Sequence, residues 1–191
     1  MPTNLKIGII GGSGMEDPTF ISDYSKEVVS TPYGDPSSEL IVGKIANVSV
    51  VILSRHGLVH SINPTNVNYR ANIWSLKEKG CTHILATTAC GSLREQIEPG
   101  HFVFPDQFID RTTKRISTYF DGSEVQHISM GNPFSAVLRN CLAQACDQLG
   151  FAYHDSGTVV TIEGPRFSTK AESIMFRSWG CDIINMSTVP E

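Results

Sequence analysis

Short apolar runs separated by glycine- and proline-marked breaks organise the chain. Leu5–Ile10, Leu40–Ile45, Val48–Ser54, His83–Thr88, Phe102–Gln107, Gly157–Ile162 and Cys181–Asn185 are each too short for a helix, and each predicts a strand. Ala46-Asn47 predicts a hairpin turn between the second and third of these, because Asn suits the turn. Elsewhere the period changes. Val67–Lys79 places Val67, Ala71 and Trp74 at helical spacing, with Lys77 and Lys79 in its last turn and Gly80 to stop it. Pro133–Leu149 places Phe134, Val137, Leu138, Cys141, Leu142, Ala145 and Leu149 on one face before Gly150, which predicts an amphipathic helix. Thr169-Lys-Ala-Glu172 is a capping box, and Ala171, Ile174, Met175 and Trp179 continue it as a helix. Asp110-Arg111-Thr112 predicts a structural loop at a subunit boundary. Thr113–His127, polar and irregular, predicts a long loop of the kind used as a lid or interface arm.

Composition narrows the class. A chain of 191 residues, 40% apolar and 18% charged, suits one globular domain with a real core. Fifteen basic and 19 acidic residues give a net charge of −4 without any basic run, which argues against a nucleic-acid or anionic-membrane surface. No apolar run reaches the length of a membrane span, and the N-terminus does not read as a signal peptide. The five cysteines are odd in number and scattered without zinc-ligand spacing, so free thiols in a reducing cytosol are expected, with no metal.

The chemistry-bearing residues gather where strands end. Gly11-Gly-Ser-Gly14 is either a tight turn or a phosphate cradle in which backbone N–H groups and the Ser13 hydroxyl donate. It is not a Walker loop, and Asp17 spoils a dinucleotide fingerprint. Arg55-His56 follows a buried-looking strand, a costly placement unless the pair faces a ligand or partner. Thr87-Thr-Ala-Cys-Gly-Ser92 offers the Thr88 hydroxyl and bare backbone on which a flat ring could lie; Cys90 as a nucleophile lacks a histidine base. Glu163, Arg166, Phe167 and Ser168 crowd the turn after Gly157–Ile162. That turn reads either as a ligand-binding strand end or as an ordinary corner with Arg166 paired to Glu163.

Six motifs occur in order: Ile10-Gly-Gly-Ser-Gly14, Ser54-Arg-His-Gly57, Asn68-Tyr-Arg-Ala-Asn-Ile-Trp74, Thr87-Thr-Ala-Cys-Gly-Ser92, Thr161-Ile-Glu-Gly-Pro-Arg-Phe167 and Asn185-Met-Ser-Thr-Val-Pro-Glu191. Together they resemble the trimeric purine nucleoside phosphorylase and methylthioadenosine phosphorylase family. The resemblance runs from Lys6 to the last residue. It implies an α/β fold, a twisted mixed central sheet flanked by helices, in a single domain over residues 1–191. It also implies a homotrimer in the cytoplasm, with the nucleus as an alternative.

The implied reaction is phosphorolysis, a pentosyl transfer in purine and methionine salvage. Inorganic phosphate is the co-substrate; neither a cofactor nor a protein nucleophile takes part. By motif match Ser13, Arg55, His56, Thr88, Ala89 and Ser187 would bind phosphate. Cys90, Gly91, Phe167, Ile184 and Asn185 would line the base, Met186 would lie under the ribose, and His127 of a neighbouring subunit would help form the 5′ pocket. Ser168 stands where members that cleave 6-oxopurine nucleosides carry Glu. A carboxylate there would accept N1–H of an oxopurine and repel the bare N1 of adenine, so Ser168 implies a 6-aminopurine substrate and cleavage of methylthioadenosine.

The family continues past Val-Pro-Glu into another helix and a strand; that strand bears the acids that hold adenine, and a last helix closes the 5′ pocket. The chain is therefore expected to be truncated at its C-terminus, lacking the last strand and helices, and losing such an acid would cost about 10²–10³ in rate. The alternatives are a purine nucleoside phosphorylase of broader specificity, and a non-catalytic product that binds phosphate or full-length subunits.

Overall fold

The computed structural model describes residues 5–11 and 20–191. They fall into two compact units: one holds residues up to 89 together with 115–119 and 190–191, the other 90–114 and 120–189.

The first unit is built on a five-stranded sheet. Its strands are β1 (Lys6–Gly11), β2 (Ser22–Glu27), β3 (Leu40–Ile45), β4 (Val48–Ser54) and β5 (His83–Ala86), in the order β2-β3-β4-β1-β5. β2, β3 and β4 pair antiparallel, while β4, β1 and β5 run parallel. Both faces are covered, so β4 reads as continuous apolar sequence. Val51 and Leu53 pack on one face with Ile10, Leu40 and Leu76, and Val50 and Ile52 on the other with Ile21 and Ile41. The β3–β4 hairpin forms as expected, although Ala46 takes the left-handed φ (+51°). The hydrophobic pattern gave no sign of β2: Ser-Asp-Tyr-Ser-Lys-Glu is an exposed edge strand whose charges suit an unpaired rim. Gly43 is where β3 admits this edge, because a Cβ there would lie 2.5 Å from Ile21 Cγ2 and 2.9 Å from the Ser22 carbonyl oxygen.

The helix expected over Val67–Lys79 is α1 (Tyr69–Glu78). A 3-10 turn, Pro64–Asn66, precedes it, and the Asn68 side chain caps it by accepting from the Ala71 N–H. Its buried face is more polar than its apolar spacing suggested. Asn72 is fully buried because its side chain accepts from the Ser37 N–H at 2.8 Å and donates to the Ser37 hydroxyl at 3.0 Å.

The second unit contains β6 (Gly91–Ser92), β7 (Phe102–Val103), β8 (Gln107–Arg111), α2 (Ala136–Leu149), β9 (Tyr153–His154), β10 (Thr158–Ile162), α3 (Lys170–Ser178) and β11 (Ile183–Asn185). One sheet has the order β6-β11-β10-β8, parallel except for β6, and β7 pairs with β9. Two expectations need correction. The single strand over Phe102–Gln107 is two strands, because Pro105 has no N–H to give a ladder. Asp110 and Arg111, expected in a loop, lie in β8 opposite Thr161 and Ile162. The core clusters join Leu93, Val160, Phe176 and Cys181, and Ile97, Val159 and Ile183. The expected stripe on α2 is not core within its own unit: Val137 and Leu149 are 71% and 68% exposed, and of the helix only Cys146 is buried.

These mixed sheets with flanking helices are the fold class expected from the sequence. All five cysteines are free. Among the described residues no helix is long and apolar enough to cross a membrane, and no group of three or more potential ligands is placed to hold a metal.

Candidate active site

Three parallel strands of the first unit end together. The register sets Gly11 beside Ser54 and Ile10 beside Ala86, so the residues that follow β1, β4 and β5 leave one edge of the sheet. Carboxyl-terminal edges of parallel strands are where α/β sheets bind ligands. Ser13, two residues beyond β1, lies outside the described residues. Arg55 and His56 follow β4; Thr88 and Ala89 follow β5 and are exposed.

Arg55 is 1% exposed, an extreme burial for a guanidinium. It donates from Nε and Nη2 to the two carboxylate oxygens of Glu191, at 2.7 and 2.5 Å, and from Nη1 to the Thr87 carbonyl at 2.9 Å. Burial pushes the Glu191 carboxyl up from its ordinary value, against the lowering by Arg55 and Arg115. Its side chain is only 4% exposed. This pairing was missed at the level of sequence. Glu191 closes one of the six motifs, but 136 residues separate it from Arg55. Arg115, from the long segment expected as a lid or arm, belongs to this unit too: its Nη1 donates to the Tyr69 hydroxyl at 2.9 Å and its guanidinium lies over that ring.

His56 Nδ1 lies 2.8 Å from the Ile62 carbonyl. A carbonyl only accepts, so Nδ1 carries the hydrogen. Burial holds the imidazole below its ordinary value, with Arg55 and His60 adding to the depression. The neutral ring therefore presents a bare Nε2, an acceptor for a protonated phosphate oxygen; it becomes a donor to an anion only when protonated.

In the second unit β10 and β11 end side by side, with Thr161 opposite Asn185. The Asn185 amide organises its own turn. Its Oδ1 accepts from the Thr161 hydroxyl at 3.1 Å and from the Ser187 and Thr188 N–H groups at 3.4 Å, while its Nδ2 donates to the Thr188 hydroxyl at 2.6 Å. Ser187 is 5% exposed. Gly91 pairs with Ile184 across β6 and β11, so two expected base-lining residues meet. Met186 lies against Gly164: a Cβ on Gly164 would sit 2.6 Å from Met186 Sδ, and Gly164 has φ of +69°. Only glycine fits both demands. Nothing in the local sequence marks Gly164 for this contact, because Met186 lies outside its own turn.

Phe167 is 85% exposed on the turn before α3. The Ser168 and Ser173 hydroxyls share a hydrogen bond of 2.8 Å. Arg166 pairs with Glu172, at 2.7 and 2.8 Å, rather than with Glu163. Its hydrogen bonds hold the Glu172 carboxyl down to about 2 while that carboxylate completes the capping box with Thr169. Glu163 instead accepts from the Thr113 N–H at 2.6 Å. The Cys90 side chain reaches solvent, but desolvation raises its thiol, so it is not an activated nucleophile. His127 is exposed in the segment between β8 and α2.

Comparison with known proteins gives this arrangement its class. Residues 6–191 match the Phosphorylase superfamily, and the chain belongs to that family. Among its relatives is the S-methyl-5′-thioadenosine phosphorylase of Danio rerio, 59% identical over 99% of this chain and 69% of the relative; that of Xenopus tropicalis is 58% identical over 98% and 69%. Methylthioadenosine phosphorylase from Schistosoma mansoni, solved in complex with adenine, superposes with a TM-score of 0.94 at 43% identity, covering 98% of this chain and 76% of the other. The chain thus spans about 70% of the length of these curated relatives.

Proposed function

We propose that this chain is a methylthioadenosine phosphorylase: phosphate displaces adenine from S-methyl-5′-thioadenosine to give 5-methylthioribose 1-phosphate. The C1′–N9 bond breaks, a C1′–O bond to phosphate forms, and a proton ends on the departing purine. The observation that carries this reading is the set of anion-binding groups at neighbouring parallel strand ends, Arg55 and His56 after β4 and Thr88 and Ala89 after β5, in a chain more than half identical to phosphorylases of that name. Ser13 and Ser187 complete the proposed phosphate set.

No side chain is asked to attack carbon. The transition state resembles an oxocarbenium ion, so catalysis rests on holding the phosphate oxyanion near C1′ and easing purine departure. Arg55 and the Thr88 hydroxyl donate to phosphate. Neutral His56 takes a hydrogen bond from a protonated phosphate oxygen at Nε2, and the exposed Ala89 backbone lets the anion approach.

Cys90, Gly91, Phe167, Ile184 and Asn185 line the adenine in this reading, and Met186, seated on Gly164, floors the ribose. Ser168 leaves the base subsite without a carboxylate, which favours a 6-aminopurine. The active form is a single-domain homotrimer acting in the cytoplasm, in which His127 of a neighbouring subunit closes the 5′ pocket. The test is release of adenine from methylthioadenosine with and without phosphate, with inosine as the competing substrate. Adenine release that ignores phosphate, or a preference for inosine, contradicts the proposal.

A further inference from the structure

We propose that Glu191 is a positioning residue: it acts through Arg55, fixing the plane of the guanidinium so that Arg55 meets phosphate with directed hydrogen bonds. This rests on the reading of Arg55 as a phosphate ligand.

The argument starts from the donors of Arg55. An arginine has five N–H groups in one plane. Glu191 takes one on Nε and one on Nη2, and the Thr87 carbonyl takes one on Nη1. Among the described residues, that leaves one N–H on each terminal nitrogen. Three acceptor oxygens, two from Glu191 and one from Thr87, on three different nitrogens fix both the plane of the fork and its rotation within that plane. Arg55 and Glu191 are 1% and 4% exposed, so water does not substitute for either side of the pair.

The electrostatics give the pair its sense. The Glu191 carboxylate opposes the Arg55 charge at hydrogen-bond distance, so Arg55 does not draw anions as a bare cation would. What remains is geometry, two N–H groups held ready without the reorganisation a free side chain would need. Carboxylate chemistry is required for this. Only a carboxylate accepts side-on from both Nε and Nη2, whereas a glutamine would turn an N–H against one of them.

The experiment titrates inorganic phosphate into the purified chain by calorimetry at fixed ionic strength, for the natural sequence, Glu191→Gln, Glu191→Asp and Arg55→Lys. Dissociation constants are read directly, so catalytic activity is not needed, and folded concentration comes from the fitted stoichiometry. Glu191→Gln is expected to weaken phosphate binding by about 10–100-fold, the scale on which misplacing a reacting group acts. Glu191→Asp, which keeps the two-oxygen acceptor, should recover part of that loss. Methylthioadenosine affinity, read in the same way, should change little.

Unchanged or tighter phosphate binding in Glu191→Gln would overturn the proposal, as would equal loss for phosphate and nucleoside, which is what a merely structural residue would give. If Arg55→Lys also leaves phosphate binding unchanged, the reading of Arg55 as a ligand falls with it. If Arg55→Lys weakens binding and Glu191→Gln does not, only the role of Glu191 falls.

Discussion

Replacing Arg55 by Met strands a buried carboxylate, and the size and pH dependence of the loss both follow from the structure. The substitution removes the bonds of 2.5 and 2.7 Å to Glu191 and the 2.9 Å bond to the Thr87 carbonyl, at a site almost closed to water. Removing one member of a buried pair costs about 3–5 kcal/mol, because the survivor stays desolvated without its counter-charge. For a chain of this size that lowers the melting temperature by about 6–20 °C.

The pH dependence has a definite sign. Glu191 already binds its proton more tightly in the folded chain than its ordinary value of 4.5, since burial outweighs the lowering by Arg55. Taking Arg55 away raises it further. A carboxyl raised on folding contributes most below its unfolded value and loses that contribution as pH rises through the folded value. The deficit of Arg55→Met should therefore grow as pH rises, which a comparison of pH 5 with pH 8 reads. Arg55→Met/Glu191→Met, which removes both charges, should recover most of the loss at pH 8. Thermal unfolding of the three proteins at both pH values is the assay. A single variant as stable as the natural chain, a deficit that does not change with pH, or a double variant no better than the single would refute the reasoning.

Other perturbations reach the base and ribose side. If Ser168 faces the base as proposed, Ser168→Glu sets a carboxylate against the bare N1 of adenine, and the ratio of kcat/KM for methylthioadenosine over inosine should fall by about 10²-fold or more; steady-state kinetics on the two substrates reads it, and an unchanged ratio removes Ser168 from specificity. Gly164→Ala drives a Cβ to 2.6 Å from Met186 Sδ at a φ of +69°, so Met186 must move; the KM for methylthioadenosine should rise several-fold while that for phosphate holds, and equal changes in both would show that Met186 does not floor the ribose.

The sequence was most legible where one local pattern decides one element. The apolar runs of β1, β3, β4 and β10 are buried on both faces or in a core cluster, and each has a counterpart in the fold. The Thr169–Glu172 capping box forms as written because its partners are three residues apart. What escaped depends on distant partners. β2 is polar along its length and is a strand only because β3 offers it an edge. Asn72 carries no local sign of burial, since the Ser37 groups that satisfy its amide in the core lie 35 residues away. In the candidate site the residues proposed to bind phosphate stood out as charged or hydroxyl groups at strand ends. Glu191 and Gly164 did not, since what they touch, Arg55 and Met186, is not among their neighbours in sequence.

The most direct test of the central claim is the fate of methylthioadenosine in the presence and absence of inorganic phosphate, followed for this chain and for the same chain continued to the length of its vertebrate relatives. The account predicts adenine and 5-methylthioribose 1-phosphate in equal amounts, strictly dependent on phosphate. Adenine formed at the same rate without phosphate, or none formed by either length, would contradict it.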